Sequence, residues 1–195
     1  MSRDIVDQCD NIASRIQNLP PLARVAVAVE AAKRLMSQYL ELPPGRQLPL
    51  TVAWADVISM LRKVISSPSE ELNREIDKRL KEYYSGPHCH ELEEDALPGA
   101  DEDAASAAIY ATEAYCTGSE TAAAQAALQL LTDADARAST VSEAIGEDLM
   151  SISAEARRGR FQQIELDRLN SAVSLIEQKG VSGATLRRLQ DLFAK

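Results

Sequence analysis

Residues 101–131 read DEDAASAAIYATEAYCTGSETAAAQAALQLL, and this stretch decides the fold class. Alanine, the strongest helix former, fills positions 104, 105, 107, 108, 111 and 114 before Gly118, and positions 122, 123, 124, 126 and 127 after it. Between the two runs stands Thr117-Gly-Ser-Glu120. It supplies a residue that tolerates positive φ and a capping box, in which a hydroxyl accepts a backbone N–H while the glutamate reaches back. Helices lined by methyl groups can bring their backbones close together, so the stretch is read as an Ala-rich antiparallel hairpin. At its start Asp101 is the candidate cap, and Asp101, Glu102 and Asp103 set negative charge against the positive end of the helix dipole.

Outward from the hairpin, apolar residues keep helical spacing. Ile5, Cys9, Ile12, Ile16 and Leu19 form one amphipathic stripe, and Leu22, Val25, Val29, Ala32, Met36 and Tyr39 form a second. Pro20-Pro21 separates them, with Pro21 opening the second helix, and Pro43-Pro44-Gly45 closes it. A third helix is predicted from Thr51 to Ile65, with Trp54, Val57, Ile58, Leu61 and Ile65 on one face. Ser67-Pro-Ser-Glu70 then marks the start of a fourth, Ser67 serving as its cap. That helix carries Leu72, Ile76, Leu80 and Tyr83 and ends at Gly86-Pro87, with Tyr83-Tyr84 anchoring its end in the core. Residues 87–100 read as an acidic loop, with one helical turn near Glu91 to Asp95. After the hairpin, Thr140-Val-Ser-Glu143 predicts a short helix. A long one follows from Ala154 to Lys179, with Phe161, Ile164, Leu169, Val173 and Ile176 inward and Gly180 as its stop. A last helix covers Ser182 to Phe193, with Leu186, Leu189 and Phe193 on one side. No stretch alternates apolar and polar residues as a strand would. The expectation is an all-α, single-domain bundle of about eight or nine helices over residues 1–195.

Bulk composition agrees with one core. A chain of 195 residues buries about 70% of the surface its unfolded form exposes, and 45% apolar with 26% charged residues is ordinary globular usage. Aromatics are only 4%, so Ala, Leu, Ile and Val must build the interior. The polar start MSRDIVDQCD has no signal-peptide apolar stretch, and no run reaches the ~20 apolar residues of a membrane helix. A cytoplasmic protein with no membrane association is expected. Cys9, Cys89 and Cys116 are odd in number and lack CxxC spacing, which points to reduced thiols.

Charge is distributed unevenly. The chain holds 21 Lys+Arg and 30 Asp+Glu, yet residues 82–136 contain no basic residue and twelve carboxylates, which leaves the remainder slightly basic. Such segregation attracts cationic partners and, with an isoelectric point near 4.8, opposes binding to nucleic acid. Helix capping accounts for part of it, and solvated helix faces or helix ends account for Glu113, Glu120, Asp133 and Asp135. Glu91, Glu93, Glu94 and Asp95 are accounted for by neither. Together with Asp101, Glu102 and Asp103 they are the expected partner-binding residues.

No catalytic pattern accompanies them. His88-Cys89-His90 offers imidazole and thiolate ligands, but metal sites in helical bundles use Glu-x-x-His or His at i and i+4, which this chain lacks. His88 and His90 are therefore weak metal candidates, no cofactor is expected, and no catalytic residue is assigned. Adjacency of Cys89 to both histidines does not make a nucleophile without a third group to orient the imidazole. Phosphate loops, GxGxxG, GxSxG and HExxH are absent.

LARVAVAVEAAKRLMSQY (22–39), LPGADEDAASAAIYATEAY (97–115) and FQQIELDRLNSAVSLIEQ (161–178) resemble, in order and spacing, a divergent member of the YjaG-like family of uncharacterised bacterial all-helical proteins. The resemblance implies an all-α fold and transfers no catalytic residue.

Three functions are compatible with these features. The first is a non-enzymatic immunity protein that neutralises a basic, nuclease-like toxin domain through its acidic surface, since such a protein needs complementarity and no chemistry of its own. The second is a self-associating housekeeping or scaffold protein, a homo-oligomer pairing the acidic region with Arg157, Arg158, Arg160, Arg187 and Arg188. The third is a metal-dependent enzyme using the His88/His90 loop.

Overall fold

Residues 3–85, 100–144 and 154–194 are described by a computed structural model, and every regular element among them is helical. In chain order these are α1 (Arg3–Asn18), α2 (Pro21–Leu40), α3 (Pro49–Ser66), α4 (Glu70–Ser85), α5 (Ala100–Thr117), α6 (Glu120–Ala144), α7 (Ala154–Lys179) and α8 (Gly183–Ala194), with a single 3-10 turn at Pro44–Arg46. Among the described residues no strand occurs. The acidic loop expected at 87–100 lies outside them, apart from Ala100.

The centre of the bundle is α2. Every residue from Ala23 to Ala32 is buried, because the helix packs against α5 and α6 on one side and α3 and α8 on others. This corrects the expectation of an amphipathic stripe. A helix apolar all round is a core helix, and ARVAVAVEAA (23–32) leaves only Arg24 and Glu30 as polar interruptions, both buried. Leu22, assigned to the inner stripe, is instead 45% exposed.

Around α2 the Ala-rich hairpin forms as expected. Ala107, Ala108 and Ala111 of α5 and Ala123, Ala126 and Ala127 of α6 are fully buried, and small side chains there let three helices approach closely. Gly118 turns the chain with φ +73° and donates its N–H to the Ala114 carbonyl at 3.0 Å. The cap of α6 is Ser119, whose Oγ accepts from Ala122 N–H at 3.1 Å. Glu120 does not close a box; it accepts from Arg24 Nη1 at 2.8 Å, while Arg24 Nη2 donates to the Gly118 carbonyl at 2.8 Å. One arginine of the central helix thus holds the hairpin turn.

Other boundaries shift for identifiable reasons. At 67–70 the cap is Ser69, accepting from Leu72 N–H at 3.4 Å; Pro68 keeps Ser67 extended (φ −150°, ψ 99°) as the end of α3. Ala100 is already helical, so Asp101 stands inside the first turn of α5 rather than before it. The short helix expected at Thr140 is the continuation of α6, because nothing between Asp133 and Glu143 breaks a helix and a Thr-x-x-Glu pattern alone does not start one. On α7 the inner face is Gln162, Glu165, Leu166, Leu169, Ala172, Val173 and Ile176, while Ile164 is 45% exposed.

Glu165 explains how a carboxylate reaches that inner face. It accepts from Arg34 of α2 at 3.0 Å and from Arg168 one turn on. The same two arginines donate to the last carbonyls of α8, Arg34 to Phe193 at 3.1 Å and Arg168 to Leu192 at 3.0 Å. Positive charge there complements the negative end of the α8 dipole, so one buried triad ties α2, α7 and α8 together.

Candidate functional site

The hairpin sorts the acidic residues into two kinds. Asp103 falls on the same face of α5 as Ala107, Ala111 and Ala114 and is 6% exposed. It is therefore a core position and not one open to a partner. Asp133 of α6, expected on a solvated face, is also buried at 5%. The two stand nearly symmetrically about the Gly118-Ser119 turn, which brings them to the same level of the hairpin. Asp101 and Glu102 belong to the first turn of α5. Glu91, Glu93, Glu94 and Asp95 lie outside the described residues, as do His88, Cys89 and His90.

Nearby carboxylates have partners within the chain. Glu120 is held by Arg24, and Glu82 lies 3.7 Å from Lys78 one turn earlier on α4. Glu113 accepts from the Tyr84 hydroxyl at 2.9 Å. Burial first, and the Glu113 carboxylate next, push the Tyr84 phenol up to about 12, so it stays a neutral donor at ordinary pH. Tyr83 sits edge-on to the buried Trp54 at 5.6 Å and to Tyr84 at 5.5 Å. Of the tyrosine pair expected to anchor in the core, only Tyr83 does so, and Tyr84 is 53% exposed. An aromatic ring with a fixed carboxylate thus stands at the end of α4, immediately before the acid-rich segment in the chain. Sequence reasoning missed the Tyr84–Glu113 pair because its members are 29 residues apart on different helices.

The described thiols are poor nucleophiles. Burial, then Asp10, pushes Cys9 upward; burial, then Asp77, pushes Cys116 up to about 11. Both therefore remain thiols at neutral pH, whereas attack requires the thiolate. Among the described residues no group of three or more His, Cys, Asp and Glu could hold a metal ion, and no helix is long and apolar enough to cross a membrane.

No family model and no curated protein matches this chain. Among solved structures its fold is similar to that of a DUF416 family protein from Shewanella baltica OS155, with a TM-score of 0.65 over 93% of this chain and 92% of that one, at 15% sequence identity. A likeness at that identity concerns the fold alone.

Proposed function

We propose that this chain acts by binding a basic protein and carries no chemistry of its own, with an immunity protein against a nuclease-like toxin domain as the specific form. The supporting observation is the charge pattern: residues 82–136 hold twelve carboxylates and no cation. Asp103 and Asp133 are buried, and Glu82, Glu113 and Glu120 have partners inside the chain. Of the remaining seven, Glu91, Glu93, Glu94 and Asp95, with Asp101 and Glu102, are the carboxylates assigned to the partner, and Asp135 is not among them. Tyr84 supplies an exposed aromatic beside a fixed carboxylate, a combination suited to stacking on and pairing with an arginine. The resemblance to the YjaG-like family enters this proposal only as a source of fold.

Where the neighbouring gene encodes a secreted protein with a small basic C-terminal domain, that domain is the partner to express. Calorimetric titration at two salt concentrations should show affinity that falls with salt. The variant E91Q/E93Q/E94Q/D95N should bind more than tenfold weaker, with a flattened salt dependence. Unchanged affinity and slope in that variant sink the proposal.

A second reading is self-association, favoured by Arg160, Arg187 and Arg188, which are exposed and make no ion pair among the described residues. It predicts a sedimentation mass that rises with protein concentration and falls back to the monomer in R187E/R188E. A constant mass removes it.

A further inference from the structure

The second half of α2 does not bury its whole surface. Glu30, Lys33, Arg34, Ser37, Gln38 and Glu41 recur at the spacing of one helix face, and they line a cleft of about 390 Å³ closed by the last turn of α8. That volume is within the range of small-ligand sites.

Two of these residues are fixed walls. Glu30, 6% exposed, accepts from Arg62 Nε at 2.7 Å, and Arg34 is held by Glu165 and the Phe193 carbonyl. Three others are left for a ligand. The Gln38 side-chain oxygen is fully buried and accepts no hydrogen bond, a destabilising arrangement that a ligand N–H would relieve. If the amide is turned the other way, its buried nitrogen calls for a carbonyl instead, and a peptide group supplies either. Lys33 makes no ion pair among the described residues, although it is close enough to Glu30 to favour that carboxylate's charged form. Glu41, exposed at the far end, likewise makes no ion pair among them.

Spacing then selects the ligand. Lys33 and Glu41 are eight residues apart, about 12 Å of axial rise, with Gln38 between them. An extended peptide of three or four residues spans roughly 10–14 Å between its termini. We propose that the cleft between α2 and α8 binds a short peptide, its C-terminal carboxylate on Lys33, an interior amide on Gln38 and its N-terminal ammonium on Glu41.

Because termini and backbone carry the recognition, tetra-alanine is a sufficient probe. Calorimetry with tetra-alanine should give saturable binding. Acetylating and amidating its termini should weaken binding at least tenfold, as should Lys33→Met in the protein. Gln38→Leu should weaken tetra-alanine binding while raising the thermal midpoint, because it removes the orphaned acceptor. A merely structural Gln38 would not move affinity and stability in opposite directions. Absence of saturable heat, equal affinity for the blocked peptide, or unchanged affinity in K33M overturns the proposal.

Discussion

Glu30 and Glu165 are both carboxylates buried at α2 contacts, yet their proton affinities move in opposite directions. Burial raises the Glu30 carboxyl above its ordinary value of 4.5, and the single bond and charge of Arg62, with Lys33, do not bring it back. Burial also pushes Glu165 upward, but Arg168 and Arg34 together outweigh it and hold the group below 4.5. The consequences for stability differ in sign. The contribution of Glu165 is present above 4.5 and is lost as pH falls through its lowered value. For Glu30, stability is fully present below 4.5 and declines as pH rises through the raised value, beyond which the ionised group is a standing cost. Glu165→Gln should therefore lose about 3–5 kcal/mol at pH 7, since it leaves two largely buried guanidinium groups short of a carboxylate, and progressively less as pH falls through the lowered value. Glu30→Gln should gain on the wild type between pH 4 and pH 7, because Arg62 keeps partial access to water, its side chain being 25% exposed. Urea unfolding at pH 3, 5 and 7 measures both trends. A Glu165→Gln deficit independent of pH would show that the triad does not act through its charge.

Among elements, the hairpin carries most of the fold's specificity, because α5 and α6 pack on each other and both on α2. Ala111 and Ala126 are fully buried, with no surface left to solvent. Ala111→Leu or Ala126→Leu should each destabilise by about 1–3 kcal/mol through overpacking, whereas Gln125→Leu on the exposed face of α6 should change stability by less than about 0.5 kcal/mol. Denaturant midpoints at constant slope check this. If all three substitutions behave alike, the close approach of the helices is wrong. Much of this level was legible in the sequence: Pro21 at the start of α2, Gly118 and Gly180 at positive φ, and the two Ala runs are local signals with local causes. What escaped was the identity of inward faces. Apolar counting placed Ile164 inside because the true inner face of α7 begins with Gln162 and Glu165, and Glu165 is held there by Arg168 of its own helix and by Arg34 of α2. Likewise the Ser-x-x-Glu pattern at 67–70 and the Thr-x-x-Glu pattern at 117–120 marked helix starts without saying which hydroxyl caps, since Pro68 and the pull of Arg24 on Glu120 decide that. The candidate site was legible as a run of charge and not as a surface. Asp103 looks like its neighbours in sequence and differs only because its helix face meets α2 and α6, and the cleft lined by Gln38 arises from the docking of α8, which no local pattern announces.

For the whole molecule, the charge segregation proposed to serve binding should act against folding. A net charge of −9 is concentrated where residues 82–136 offer no cation, so the basic groups beside its carboxylates come from outside the segment, as Arg24 does for Glu120 and Lys78 for Glu82. Like charges repel over a Debye length of about 10 Å at 0.1 M salt and about 30 Å at 0.01 M. The thermal midpoint should therefore rise as ionic strength increases from 0.01 to 0.2 M, by about 2–4 °C for each kcal/mol of repulsion removed in a chain of this size. The variant E91Q/E93Q/E94Q/D95N should already be more stable at low salt and respond less to added salt, while losing affinity for a basic partner. That opposition is expected of a surface kept for binding at the expense of stability. Residues that serve only as solvated faces give no such pairing of effects. A variant that gains neither stability nor salt insensitivity would show that these four charges do not repel one another in the folded chain, and the acidic segment would then lack the converging field that capture of a basic protein requires.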